Sequence, residues 1–342
     1  MTLFQEIIKV SLGTSNQLSR TPSSAEWVSL YNESQKQAIV GVILYGLERL
    51  PEAQRPSQNL LLQWIGSVQM VEASYVLQCE RAKELTKLFS DAGYSSSVLK
   101  GLGFSKFYPV PARRQGGDID LWVDGKRESV MKWLRDNYVV ERVVWHHADA
   151  KIFDDVETEI HFHPGWLYNP IKNRKLQEWF NGQKGVQMKV LRELGFAYPD
   201  VSFNAVYSLI HLYHHLIEEG IGIRHIIDYY YILKALPTQN REGVLKDLQR
   251  FGLFKLASAM MWVLLEVCGM PDEYLICVPC EREGRFLLEE IMRGGNFGKY
   301  RNDNLRRNTV ARMLALLPHY PSEVLWAVPW KLWHKCWRWF NR

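Results

Sequence analysis

The chain has 342 residues, enough for two or three packed layers or domains. Its 47% hydrophobic and 23% charged residues exclude a disordered chain. A formal net charge of +5 suits anionic substrates but falls short of the basic balance that marks nucleic-acid binding.

Residues 1–94 read as helical. Phe4, Ile7, Ile8 and Leu12 recur at helical spacing, and Ser23 to Glu26 offers a cap ahead of Trp27, Leu30 and Tyr31. Gln37 to Leu50 is a third apolar-periodic segment, ended by Pro51. A long fourth helix is predicted from about Ser57 to Ala92, with Gly93-Tyr94 as its stop. These stripes are core material and carry no chemistry. The opening residues include Glu6 and lack a cationic leader, so no signal peptide is expected. No run of about 18 apolar residues occurs, so no spanning helix is expected. Five scattered cysteines are read as reduced thiols of a cytoplasmic protein. Cys277-x-x-Cys280 has no second pair at zinc-site spacing.

From Ser95 the texture changes. Ser95 to Leu99 is strand-like, and Gly101 to Tyr108 is read as a short helix halted by Pro109 and Pro111. Gly116-Gly117 then leads into Asp118-Ile119-Asp120 and the apolar run Leu121-Trp122-Val123. Side chains on a strand alternate faces, so Asp118 and Asp120 share one side. Such a pair of hard oxygen donors suits Mg2+ or Mn2+. Ser129 to Tyr138 is predicted as an amphipathic helix, and Val139 to Trp145 with Ala150 to Phe153 as a strand pair. Val156 to Phe162 is a further strand, with Glu157, Glu159, His161 and His163 on one face. Residues 166–200 read as mixed and loop-rich. Helices follow at about 203–218, 223–236, 242–253, 255–268 and 282–293.

These motifs together resemble the polymerase-beta-type nucleotidyltransferase superfamily. They are Lys100-Gly101 after a strand, Arg114-x-x-Gly117-Asp118-x-Asp120, and Glu159-Ile160-His161. More narrowly, residues from about 35 to 235 resemble an uncharacterised bacterial nucleotidyltransferase-like family. It carries Lys-Gly where the superfamily usually has Gly-Ser, and a later segment like His211-x-x-x-His215 and Gly222-Ile223-Arg224-x-x-x-Asp228. The resemblance implies an α+β fold, with a small mixed β-sheet core flanked by helical N- and C-terminal regions. It implies magnesium-dependent transfer of a nucleoside monophosphate from a nucleoside triphosphate, ATP among them, to an acceptor hydroxyl on a small molecule, sugar or protein. Asp118, Asp120 and Glu159 would hold two Mg2+ or Mn2+ ions, and Glu159 could also take the acceptor proton. Lys100, Gly101, Arg114 and Gly117 would meet the nucleotide, Arg224 and Asp228 would face the cleft, and His161 would steer Glu159.

Two other functions fit the residues. One is a catalytically inactive nucleotide-binding or scaffold protein on the same fold. The other is a zinc-dependent hydrolase built on Glu159, His161 and His163 with His146-His147 upstream, although no HExxH helix supports it. His211, His214 and His215 are read as packed or polar groups between helices, and Arg224 with Asp228 is alternatively an i, i+4 helix pair.

Val324 to Arg342 is a basic, Trp-rich amphipathic segment. Trp326, Trp330, Trp333, Trp337 and Phe340 form one stripe, opposite Lys331, Lys335, Arg338 and Arg342. Docking of the Trp stripe on the protein is the favoured reading; a peripheral membrane surface at the inner face or a protein partner is the alternative. The expected organisation is a helical region at 1–94, an α/β core at 95–200, a helical domain at 201–320 and the terminal helix at 321–342.

Overall fold

The computed structural model describes residues 2–189, 191, 194–300 and 309–340. Four helices open the chain: α1 (Leu3–Leu12), α2 (Ser24–Lys36), α3 (Val40–Leu47) and α4 (Gln58–Asp91). The expected cap at Ser23 is a full capping box, with Glu26 returning to the Ser23 backbone. α4 is 34 residues long, about 50 Å at the helical rise, and matches the segment expected from the sequence.

The core elements follow as β1 (Ser95–Val98), α5 (Lys100–Ser105), β2 (Ile119–Asp124), α6 (Arg127–Asn137), β3 (Val139–Val143), β4 (His147–Lys151) and β5 (Thr158–His161). The strands form one mixed sheet in the order β1-β2-β5-β4-β3. β2 and β5 run parallel, with Asp120 opposite Glu159 and Trp122 opposite His161; the other neighbours are antiparallel. The α+β architecture expected from the resemblance is therefore present.

The period-two pattern sorts the sheet into two faces. Ile119, Leu121, Val123, Ala148, Ala150 and Ile160 are buried with Leu85 and Phe89 of α4 and Val130 and Leu134 of α6. Asp120, Trp122, Glu159, His161, His147 and Asp149 occupy the other face. There Trp122 stacks on Phe203 at 5.7 Å.

The remaining helices are α7 (Pro170–Gln187), α8 (Val201–Glu218), α9 (Ile223–Ala235), α10 (Thr238–Arg250), α11 (Phe254–Cys268), α12 (Glu281–Gly294), α13 (Thr309–Leu316) and α14 (Pro321–Phe340). They share one apolar core with the start of the chain. Phe4, Ile7 and Ile8 of α1 are buried in the same cluster as Met260, Leu264 and Val267 of α11.

Three expectations need correction. Residues 166–200 are not loop-rich: α7 takes 18 of them, capped by the Asn169 side chain with Pro170 at its first turn. Gly182 and Gly185 sit inside α7 with open space beside them, so they do not break it. The partner of β3 begins at His147 rather than Ala150, because Val144 N–H closes a tight turn onto the His147 carbonyl at 3.0 Å. The helix expected from Gly101 to Tyr108 stops at Ser105, and its first turn is kinked at Gly101.

Candidate functional site

The Lys-Gly bend is fixed before any side chain acts. Leu99 N–H donates to the Asp120 carbonyl at 2.8 Å, which extends the β1–β2 pairing up to the bend. Lys100 then takes a positive φ of 40°, a conformation uncommon outside glycine. That backbone directs the Lys100 ammonium to Asp120 Oδ1, 2.7 Å away.

Asp118 stands at the mouth of β2, and Asp120 and Glu159 face each other across the parallel pair. Ligand oxygens of all three lie within 4.8 Å of one another. Asp120 is buried, while Asp118 and Glu159 are partly open to solvent. His161 Nε2 approaches Asp120 Oδ1 at 2.8 Å and Glu159 Oε2 at 3.2 Å, so one imidazole orients two carboxylates.

The electrostatics follow from this packing. Burial opposes the Lys100 charge, but Asp120, Tyr207, Glu159 and Asp118 outweigh it and hold the ammonium above the ordinary lysine range. Burial pushes the Asp120 carboxyl up, against the pull of Lys100. Burial acts the same way on Glu159, yet His161, Lys100 and His147 hold its carboxyl well below the usual range. Burial alone would neutralise His161; its hydrogen bonds to Asp120 and Glu159 lift it to about 9.

A second buried group lies next to the first. Arg114 binds Asp228 with both arms, Nε to Oδ1 at 2.9 Å and Nη2 to Oδ2 at 2.8 Å. The Tyr108 hydroxyl donates to Asp228 Oδ1 at 2.6 Å. The Arg224–Asp228 helix pair, one of the two readings of these residues, is not formed; Asp228 goes to Arg114. Arg224 instead donates to the Gln115 carbonyl at 3.0 Å and lies over the Phe297 ring. Its Nε is buried with no hydrogen-bond partner. Burial, aided by Arg114, draws its guanidinium down to about 10. Gly101 and Gly117 leave the backbone open: a Cβ at 117 would meet nothing within 4 Å, and one at 101 only the Asp118 carbonyl at 3.7 Å.

The structure also brings together the zinc-type set. Ligand atoms of His147, Glu159 and His161 lie within 4.8 Å of one another. His163 leaves that group and stacks on Trp145, ring centroids 4.3 Å apart. Two residues near the site had escaped notice. Asp149 pairs with Glu159 across β4–β5, and its carboxylate comes within 2.9 Å of His147 Nε2. Tyr207 on α8 lies close enough to Lys100 and Asp120 to feel both charges, its hydroxyl buried without a hydrogen-bond partner. The period-two spacing of His147 and Asp149 was the signal for the first. Nothing local marks the second.

Among curated proteins, none matches the chain. One similar solved structure is an antigenic nucleotidyltransferase-like protein from Paracoccidioides brasiliensis. It is 12% identical with a TM-score of 0.38, over 60% of this chain and 96% of that one. Residues 23–269, most of the chain, match one family, and the protein accordingly belongs to the family described as uncharacterised nucleotidyltransferase, which supports nucleotidyl transfer as its chemistry.

Proposed function

We propose that the protein is a divalent-cation-dependent nucleotidyltransferase moving a nucleoside monophosphate from a nucleoside triphosphate to an acceptor hydroxyl. One observation carries the reading: Asp118, Asp120 and Glu159 converge within 4.8 Å on one sheet face, beside Lys100. Three carboxylates are the donor set that Mg2+ or Mn2+ prefers, so these residues fit a pair of such ions and would hold them. When bound, the ions supply charge neutralisation for the transferring phosphoryl group.

The chain's own groups do the positioning. Lys100 pairs with the buried Asp120 carboxyl, pulling against the upward push of burial, and offers an ammonium to phosphate oxygens once Asp120 has another partner. His161 holds Glu159 as the anion, which favours a ligand role over proton acceptance. Arg224, with a free Nε, is the guanidinium available to the triphosphate. Arg114 has both arms on Asp228, so it anchors the loop ahead of β2 instead of meeting substrate. Gly101 and Gly117 allow the triphosphate close to the backbone.

The test is a thermal-shift series with the four nucleoside triphosphates and Mg2+ or Mn2+, repeated on Asp118→Asn. A ligand that binds only the folded state raises Tm by mass action. The expected outcome is a shift with at least one triphosphate that Asp118→Asn loses while still folding. No shift with any triphosphate overturns the reading, and a shift without turnover on any acceptor favours the inactive scaffold. The His147–Glu159–His161 set favours a second reading, a zinc-dependent hydrolase. Its signature is stoichiometric zinc retained through purification.

A further inference from the structure

Of the five Trp residues of α14, those at 326, 330, 333 and 337 do not form one docked stripe. Trp330 and Trp337 turn inward: Trp330 stacks on Trp166 at 5.5 Å, and Arg127 lies over Trp337 at 4.6 Å. His334 Nε2 accepts the Trp145 backbone N–H at 3.3 Å. Val324 and Ala327 are buried, and Glu323 caps the chain at Tyr168 from within the protein. One face of α14 is therefore fastened to the sheet-proximal loops.

The opposite face is apolar and open. Leu325 is 63% exposed, Val328 52% and Leu332 63%, with Trp326 and Trp333 beside them. At 100° per residue these five span about 160° of the helix surface. From Leu325 to Leu332 and on to Trp339 the stripe runs roughly 20 Å. Leu314 of the adjoining α13 is also exposed, at 64%.

Charge is distributed to one side of this stripe. Residues 324–339 contain no Asp or Glu, while Lys331, Lys335 and Arg338 follow one border. Lys331 is paired with Glu218 at 3.3 Å; Lys335 and Arg338 are exposed. Across a cavity of about 1260 Å³ they face Arg135 and Arg142 near the edge of the sheet, with Glu141 the one acidic side chain lining it.

We propose that the outer face of α14 lies on an anionic phospholipid surface. Leu325, Val328 and Leu332 enter the headgroup–acyl boundary, Trp326 and Trp333 sit at headgroup level, and Lys335 and Arg338 meet the lipid phosphates. An open apolar stripe bordered by cations and free of carboxylates is complementary to anionic lipid. No described helix is long and apolar enough to cross a membrane, so the contact is peripheral. The inference is independent of the nucleotidyl-transfer reading.

The experiment uses the full chain and vesicles of phosphatidylcholine, alone or mixed with phosphatidylglycerol. The protein should co-sediment with the mixed vesicles, and its apparent affinity should fall roughly tenfold or more on pure phosphatidylcholine or in high salt. Leu325→Glu with Leu332→Glu should leave it in the supernatant, with Tm unchanged because both side chains are exposed. Lys335→Gln with Arg338→Gln should remove the preference for phosphatidylglycerol. Brominated lipids should quench the tryptophan emission of the unsubstituted protein, a readout that needs no variant. A supernatant protein on both vesicle types, or no quenching, overturns the proposal. So does a dimer in light scattering that Leu332→Glu converts to monomer, since the face then closes on a second copy.

Discussion

At the residue scale, the most exacting contact is the buried Arg114–Asp228 pair with Tyr108. Both charged side chains are almost fully enclosed and joined by two hydrogen bonds, with Tyr108 adding a third to Asp228 and the Gln115 carbonyl taking Arg114 Nη1 at 3.2 Å. Burial works against the Arg114 charge, and Asp228 more than offsets it. Removing one partner strands the other in a low-dielectric setting, so Asp228→Ala should destabilise the protein by about 3–5 kcal/mol. Urea unfolding checks this, with a midpoint shift and an unchanged slope as the expected outcome. Lys100→Met should do less damage to the fold, because its site is partly open.

At the element scale, the joint between α3 and the loop ahead of β2 is closely packed. A Cβ on Gly41 would run into the Arg113 carbonyl, so that loop rests directly on the helix backbone. Gly41→Ala should push residues 111–114 away and lower stability by about 1–3 kcal/mol, read as a fall in Tm. Much at this scale was legible in the sequence. The Asp118–Asp120 spacing, the long α4 and the strand carrying Glu159 each follow from local periodicity and came out at their expected places. What escaped has physical causes. α7 was hidden because Asn169-Pro170 and two glycines carry loop chemistry, although Asn caps and Pro opens helices equally well. The His147 start of β4 depends on a turn whose residues carry no turn signature. The Arg114–Asp228 pairing spans more than a hundred positions, so spacing rules pointed to the nearer Arg224 instead. For the candidate site, the carboxylates, Asp149 included, could be read from strand alternation, while Tyr207 becomes visible only once its helix is docked on the sheet.

At the scale of the whole molecule, buried histidines set the response to acid. Burial drives His146, His211 and His225 well below the ordinary imidazole range, and His214 down to about 3. In each, the unfolded chain binds a proton that the folded chain refuses. Stability is therefore complete above pH 6.5 and is lost as pH falls below it, by up to about 1.4 kcal/mol per pH unit for each histidine. His161 works in the other direction, since its value of about 9 gives stability that fades as pH rises through that range. The expected outcome is a urea midpoint that drops steeply from pH 6.5 to 5 and declines gently between pH 6.5 and 9. A flat profile would contradict the burial of these imidazoles.

The shared core has a consequence for biosynthesis. α1 is made well before one of its burial partners: α3 follows within about 30 positions, but α11 comes some 250 positions later, with Thr14 donating to the Cys268 carbonyl at 2.7 Å. At about 5–20 residues per second the part of α1 that α11 covers waits roughly 10–50 s for it. Nascent chains arrested before α11 should therefore recruit holding chaperones, and release them only once that helix is out.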